Sequence, residues 1–225
     1  PELQWLILSC TEDDALIADM LAGGRGRKLQ RLELANQTLS TATLTALMSA
    51  DLPHLHTLKA GLTWQTGSSS GVLEGLRRPG AFPALRELHL RSSRLGDREA
   101  RALVAWEGIG RLTALDLAEN RIEDDGAIVL SRAFKQGTLD LKNNRIGAAG
   151  IRSLLTRLPP EVELVCRELG VGDVGLEILC ERGGLHRMIK DGALSLYRAD
   201  VTDRGLTALA GSPDLAAAER LELGS

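Results

Sequence analysis

The feature that most constrains this chain is a six-residue frame, L-x-x-L-x-L, that returns at near-regular intervals. It is clearest in Leu85-Arg-Glu-Leu88-His-Leu90 and in Leu112-Thr-Ala-Leu115-Asp-Leu117, and returns with its first leucine replaced by Gln136 in the copy ending Leu139-Asp-Leu141. Anchoring each copy on its second leucine gives Leu6, Leu32, Leu58, Leu88, Leu115, Leu139, Leu164, Leu194 and Leu221, with successive spacings of 26, 26, 30, 27, 24, 25, 30 and 27 residues. Such a period marks an array of small supersecondary units, none of which can bury its apolar face alone.

The second half of each unit repeats as well. Asp125-Gly126-Ala127-Ile128-Val129-Leu130 parallels Ala149-Gly150-Ile151-Arg152-Ser153-Leu154, Val174-Gly175-Leu176-Glu177-Ile178-Leu179 and Arg204-Gly205-Leu206-Thr207-Ala208-Leu209. Thr43-Leu44-Thr45-Ala46-Leu47 matches without the glycine. Apolar residues three and four apart predict short amphipathic helices. Asp124, Asp125, Asp173 and Asp203 fall near their starts, where a helix N-terminus favours negative charge. Asn120 and Asn144 follow the last frame leucine by three residues and are placed to bond turn backbone. Gln37, Ser93 and Ala199 hold that slot elsewhere, which marks a divergent natural array.

The frame and the helix motif together resemble the ribonuclease-inhibitor-like class of leucine-rich repeats, and a bacterial subgroup whose helix reads G-A-x-A-L. The resemblance runs from about Leu3 to Leu223. It implies an α/β leucine-rich-repeat solenoid, a curved horseshoe of about eight to nine repeats. A parallel β-sheet would line the concave face and short helices the convex one. The copy around Leu164 places Cys166 and Leu169 where Leu and Asn are expected. Residues 1–225 read as one repeat domain. With no polar cap visible at either end, that domain is expected to be a fragment of a longer protein.

Composition fits an aliphatic array. Hydrophobic residues make up 44% but aromatics only 3%, so Leu and Ala must build the core. Charged residues are 25% with both signs mixed and a net charge of −3, which leaves no basic footprint for nucleic acid. No apolar run approaches the roughly 18 residues of a membrane span. Cys10, Cys166 and Cys180 are too few and too irregular for a disulfide scaffold, so a reduced, cytoplasmic protein is expected.

Specific chemistry finds little support. His54 and His56 form H-x-H without a carboxylate or cysteine at ligand spacing. Gly67-Ser-Ser-Ser-Gly71 lacks the lysine of a phosphate loop. Gly23-Gly-Arg-Gly-Arg-Lys28 reads as a basic turn, and Asn36-Gln37-Thr38 fits a glycosylation acceptor that matters only in a secreted eukaryotic protein. No cofactor, metal or catalytic residue is expected.

The resemblance instead implies a protein–protein interaction module. Its contacts are expected on strand positions facing away from the core: Trp5, Lys59, Arg86, Glu87, His89, Arg91, Asp116, Glu119, Asp140, Lys142, Arg167 and Tyr197. Lys59, Arg86, His89 and Arg91 form a basic cluster on neighbouring repeats, and Asp116, Glu119 and Asp140 an acidic patch beside it. Trp5 and Tyr197 are the aromatic anchors. Two longer units, with Trp64–Gly71 and Gly183–Lys190, supply loops as a second contact region. Two further readings stay open. One is a regulator such as a GTPase activator of the same repeat class, and the other is a structural or self-assembling segment. Oligomeric state is left open.

Overall fold

The computed structural model describes residues 3–9, 15–35, 40–60, 73, 76, 78–190, 192–197 and 199–223. Cys10, Asn36-Gln37-Thr38 and Trp64–Gly71 lie outside them. Most described strands are followed by a helix. The order is β1 (Trp5–Ser9), α1 (Ala15–Ala22), β2 (Arg31–Ala35), α2 (Thr41–Ser49), β3 (Thr57–Ala60), β4 (Glu87–His89), α3 (Asp97–Val104), β5 (Ala114–Asp116), α4 (Asp124–Ala133), β6 (Thr138–Asp140), α5 (Ala148–Arg157), β7 (Glu163–Val165), α6 (Gly172–Glu181), β8 (Ile189–Lys190), β9 (Ala193–Ser195), α7 (Asp203–Ala210) and β10 (Arg220–Glu222).

Strands β1 to β7 form one parallel sheet in sequence order. Its register joins Leu6, Leu32, Leu58, Leu88, Leu115, Leu139 and Leu164 in one row, the leucines picked out by the repeat frame. From Leu32 onward these side chains are buried, and Leu34, Leu90, Leu117 and Leu141 continue the same core. Each buried leucine contributes roughly 1.5–3 kcal/mol. The helices close the other side, with Leu103, Leu130, Leu154, Leu179 and Leu209 turned inward. Neighbouring helices pack along the array, α1 on α2 and then α3 through α7 in order. Strands lie about 4.8 Å apart and packed helices about 8–10 Å apart, so the stack bends with the sheet on the inner, concave face. This is an α/β leucine-rich-repeat solenoid.

Two polar devices lock one unit to the next. Asn120 is buried, and its Oδ1 accepts the Ser93 and Leu95 amides at 3.0 and 2.9 Å while its Nδ2 donates to the Leu90 and Leu117 carbonyls at 2.9 Å each. Asn144 repeats the arrangement with the Ile122 amide and the Leu117 and Leu141 carbonyls. On the helix side, an aspartate near the start of one helix caps the next. Asp124 Oδ1 accepts the Gly147 and Gly150 amides, and Asp173 Oδ1 accepts those of Thr202 and Gly205. A Cβ on Gly150 would lie 2.8 Å from Asp124 Oδ1 and 2.5 Å from Ile146 Cγ2, which explains the glycine in the helix motif.

The sheet departs from the expected nine-strand ladder. β9 and β10 pair in parallel, Leu194 against Leu221, but belong to a separate three-stranded sheet. β8 pairs antiparallel with β9 at its edge. The extra residues of the unit between Leu164 and Leu194 cause the break. They form a 3-10 turn, Leu185–Met188, whose Leu185 and Met188 are fully buried, and then β8. In earlier units the carbonyl just before each strand accepts the amide of the next repeat, as Arg86 O accepts Thr113 N at 2.7 Å. At the break, Val162 O accepts the Arg187 guanidinium at 3.2 Å instead.

Candidate concave recognition face

The outward residues of the seven-stranded sheet fall in two rows set by the strand register. One row runs Trp5, Arg31, Thr57, Glu87, Ala114, Thr138, Glu163, and the other Ile7, Glu33, Lys59, His89, Asp116, Asp140, Val165. Lys59, His89, Asp116 and Asp140 therefore stand side by side on four consecutive strands. Arg91, Lys142 and Arg167 lie two residues beyond β4, β6 and β7 at the sheet's edge. Glu119 sits in the loop after β5 at φ 58, and Arg86 is exposed, one residue before β4. Trp5 is 65% exposed at the β1 end of the sheet. Tyr197 is exposed but follows β9, so it lies off the seven-stranded sheet.

Most of the cations on this face already have anions. Lys59 Nζ is 3.3 Å from Glu33 Oε1, and Arg31 pairs with the same carboxylate. Arg91 pairs with Glu119, and Lys142 Nζ lies 3.0 Å from Glu168 Oε1. The His89 ring bridges two strands, with Nδ1 3.8 Å from Asp116 Oδ2 and Nε2 3.8 Å from Glu87 Oε2. Glu87 also accepts the Thr57 hydroxyl, and Glu163 that of Thr138. Glu168, which closes the Lys142 pair, was not among the expected contact residues. It occupies the slot of Ser92, Glu119 and Asn143, four residues after each register leucine, so its position was legible but its pairing was not.

The centre of the face differs. Asp116 and Asp140 are register partners on β5 and β6. Each accepts the amide two residues on, from Ala118 at 2.9 Å and from Lys142 at 2.8 Å. Burial works against the charge on Asp116, but the His89 ring, the Ala118 amide and nearby Arg91 outweigh it and hold this carboxyl below the usual range. Burial, reinforced by the Asp116 charge, pushes the Asp140 carboxyl above it against the Lys142 amide. Among the described residues Asp140 has no ion-pair partner within 4 Å. The two carboxylates thus form a half-buried anionic seat suited to a lysine or arginine head group.

Cys166 is fully buried, and burial pushes its thiol up to about 12. Among the described residues no group of three or more His, Cys, Asp or Glu side chains is placed to hold a metal ion, and no helix is long and apolar enough to cross a membrane.

A family model described as Leucine Rich repeat matches residues 112–131 and 138–155, the β5–α4 and β6–α5 units. Comparison with curated protein sequences gives no match. Among solved structures the chain is similar to a chain in the crystal structure of the Rad7 and Elc1 complex in yeast, at 14% identity and a TM-score of 0.30, over 92% of this chain and 75% of that one. The repeat-model match at two units, standing on seven register-locked parallel strands alternating with helices, supports a leucine-rich-repeat protein.

Proposed function

We propose that this chain is a protein–protein interaction module, and that its concave sheet face seats a partner through a basic side chain inserted over Asp116 and Asp140. One observation carries the reading. On a face where the other charges are largely neutralised by neighbours, two register-paired carboxylates remain together with one of them unpartnered. Adjacent like charges across a sheet are destabilising, and a cationic group from outside would relieve them. Lys59, Arg86, Glu87, His89, Arg91, Glu119, Lys142 and Arg167 surround the seat and would set orientation and specificity. Trp5 and Tyr197 would act as outlying aromatic contacts.

The helix motif with its inter-repeat glycine supports placing the chain in the ribonuclease-inhibitor-like class, in the bacterial type of repeat. The reading takes residues 1–225 as one repeat domain without enzymatic activity of its own. Free thiols at Cys166 and Cys180 fit a reducing, cytoplasmic setting.

The test is affinity capture from the source lysate with wild type and with Asp116→Asn/Asp140→Asn. The captured protein is then identified and titrated back. The asparagines retain an acceptor for the Ala118 and Lys142 amides while removing the charge. Loss of one member of a buried interfacial charge pair costs about 2–5 kcal/mol, so the captured partner should bind the variant more than about tenfold more weakly. Equal affinity for both proteins refutes the acidic seat.

A further inference from the structure

A second surface, on the loop edge of the solenoid, presents a row of cations. Arg94, Arg121 and Arg145 each stand six residues after the register leucine of their unit, at Leu88, Leu115 and Leu139. All three are exposed and line one groove of about 690 Å³. Each is flanked by buried residues: Ser93 and Leu95, Asn120 and Ile122, Asn144 and Ile146. The chain is pinned on both sides of every arginine, so the side chain must leave the core. Backbone bonds fix the rungs, since Arg121 N donates to Leu95 O at 2.7 Å and Arg145 N to Ile122 O at 2.8 Å. The guanidinium stems therefore start at the strand interval of about 4.8 Å.

None of the three guanidinium groups has an anion or a hydrogen-bond partner among the described residues. The groove does contain carboxylates, but Glu119 is held by Arg91 and Ser92, and Glu168 by Lys142. The Asn143 side-chain amide, in the same groove, has no hydrogen-bond partner among the described residues either. The surface thus presents fixed, unspent donors in a row. Arginine prefers carboxylate or phosphate oxygens in such settings because its planar fork meets both oxygens at once.

We propose that this arginine row is a docking groove for a short acidic segment of a protein partner, lying along the solenoid axis across three repeats. An extended peptide advances about 3.3 Å per residue, so three carboxylates within about four residues span the row. The row is bounded. The same slot holds Gly170 and then Asp200 in the next two units, and Asp200 lines the far end of the groove. A long polyanion such as a nucleic-acid strand would run onto Glu168 and Asp200 and meet a chain of net charge −3. A short acidic peptide confined to the three arginine rungs stops before Asp200.

The proposal concerns a surface separate from the concave acidic seat, and its test leaves Asp116 and Asp140 unchanged. The probe is a fluorescein-labelled hexaglutamate peptide, titrated by fluorescence anisotropy at low salt. The groove variant is Arg94→Gln/Arg121→Gln/Arg145→Gln. A control triple, Arg98→Gln/Arg132→Gln/Arg152→Gln, removes the same charge from exposed positions on α3, α4 and α5. Far-UV circular dichroism checks that both fold. The groove triple is expected to bind at least about fivefold more weakly than the control triple, which should track wild type. A smaller difference overturns the groove assignment. So does absence of saturable binding to wild type up to about 1 mM. Tighter binding of an oligothymidylate than of the peptide overturns the choice of an acidic protein segment.

Discussion

Replacing Asn120 by alanine tests how the array is joined. The side chain spans two repeats and is 7% exposed. Its removal leaves the Ser93 and Leu95 amides without their acceptor and the Leu90 and Leu117 carbonyls without this donor. A weaker contact to Ala118 O, at 3.2 Å, is lost as well. An orphaned buried polar group costs about 1–3 kcal/mol. The two amides belong to buried residues and donate to this one side-chain oxygen, whereas the carbonyls can be shared or wetted through the space left behind. Counting the amides fully and the carbonyls lightly gives a loss of about 3–5 kcal/mol. The assay is urea unfolding followed by circular dichroism, with tryptophan fluorescence as a second probe to check that the transitions coincide. Trp106 reports close by, since it is buried in the preceding helix layer with Nε1 bonded to Ala81 O. Asn120→Ser, the residue found in the same slot at Ser93, should recover only part of the loss because its reach is shorter. A loss below about 1 kcal/mol for the alanine variant would refute the view that this asparagine carries the inter-repeat backbone bonds.

Three further outcomes follow from particular contacts. Gly137 has φ 79, and a Cβ there would stand 2.0 Å from Thr113 O. Gly137→Ala should therefore cost about 3 kcal/mol or more in thermal unfolding. Asp140→Asn should stabilise the protein by about 1 kcal/mol at neutral pH by removing a like charge beside Asp116. The raised Asp140 carboxyl favours the folded state only while protonated, so the wild-type deficit should open as pH rises through its titration and vanish in acid. Unfolding curves for both proteins across that range check it. Cys166, fully buried with its thiol pushed up to about 12, should resist a thiol-specific reagent in the native protein and react only after denaturation.

What the sequence revealed of the fold follows from what a repeat encodes. The seven leucines from Leu6 to Leu164 were legible because inward packing must recur at each unit, and the strand register pairs those residues. The helix glycine was visible as a pattern but not as a cause. Only the structure shows Asp124 of one unit reaching the Gly150 amide of the next. The site was legible as slots rather than as pairs. Period-2 alternation names Asp116 and Asp140 as outward residues. Whether Lys59 turns to Glu33 or to His89 depends on rotamers shared between units 24–30 residues apart in sequence. The break after β7 was hidden for a related reason. Extra length in a repeat can bulge away from the core or enter it, and Gly183–Lys190 carries both polar and apolar residues. Burial of Leu185 and Met188 draws the segment inward, and Arg187 then occupies the Val162 acceptor.

That break bears on where recognition can occur. The helix side continues through it: α6 packs on α7, Asp173 caps the α7 start, and Arg204 meets both Glu177 oxygens at 2.6 and 2.8 Å. The sheet side does not continue. A partner bridging strands needs outward side chains at the regular strand interval, and that regularity ends at β7, whose forward edge meets a turn instead of a parallel neighbour. Tyr197 is therefore displaced from the ladder that carries Lys59, His89, Asp116 and Asp140, and a partner seated on the central carboxylates would meet it only as an outlying contact. The interruption thus concentrates the regular concave surface on the strands around β5 and β6, where two half-buried carboxylates face outward and Asp140 has no ion-pair partner among the described residues.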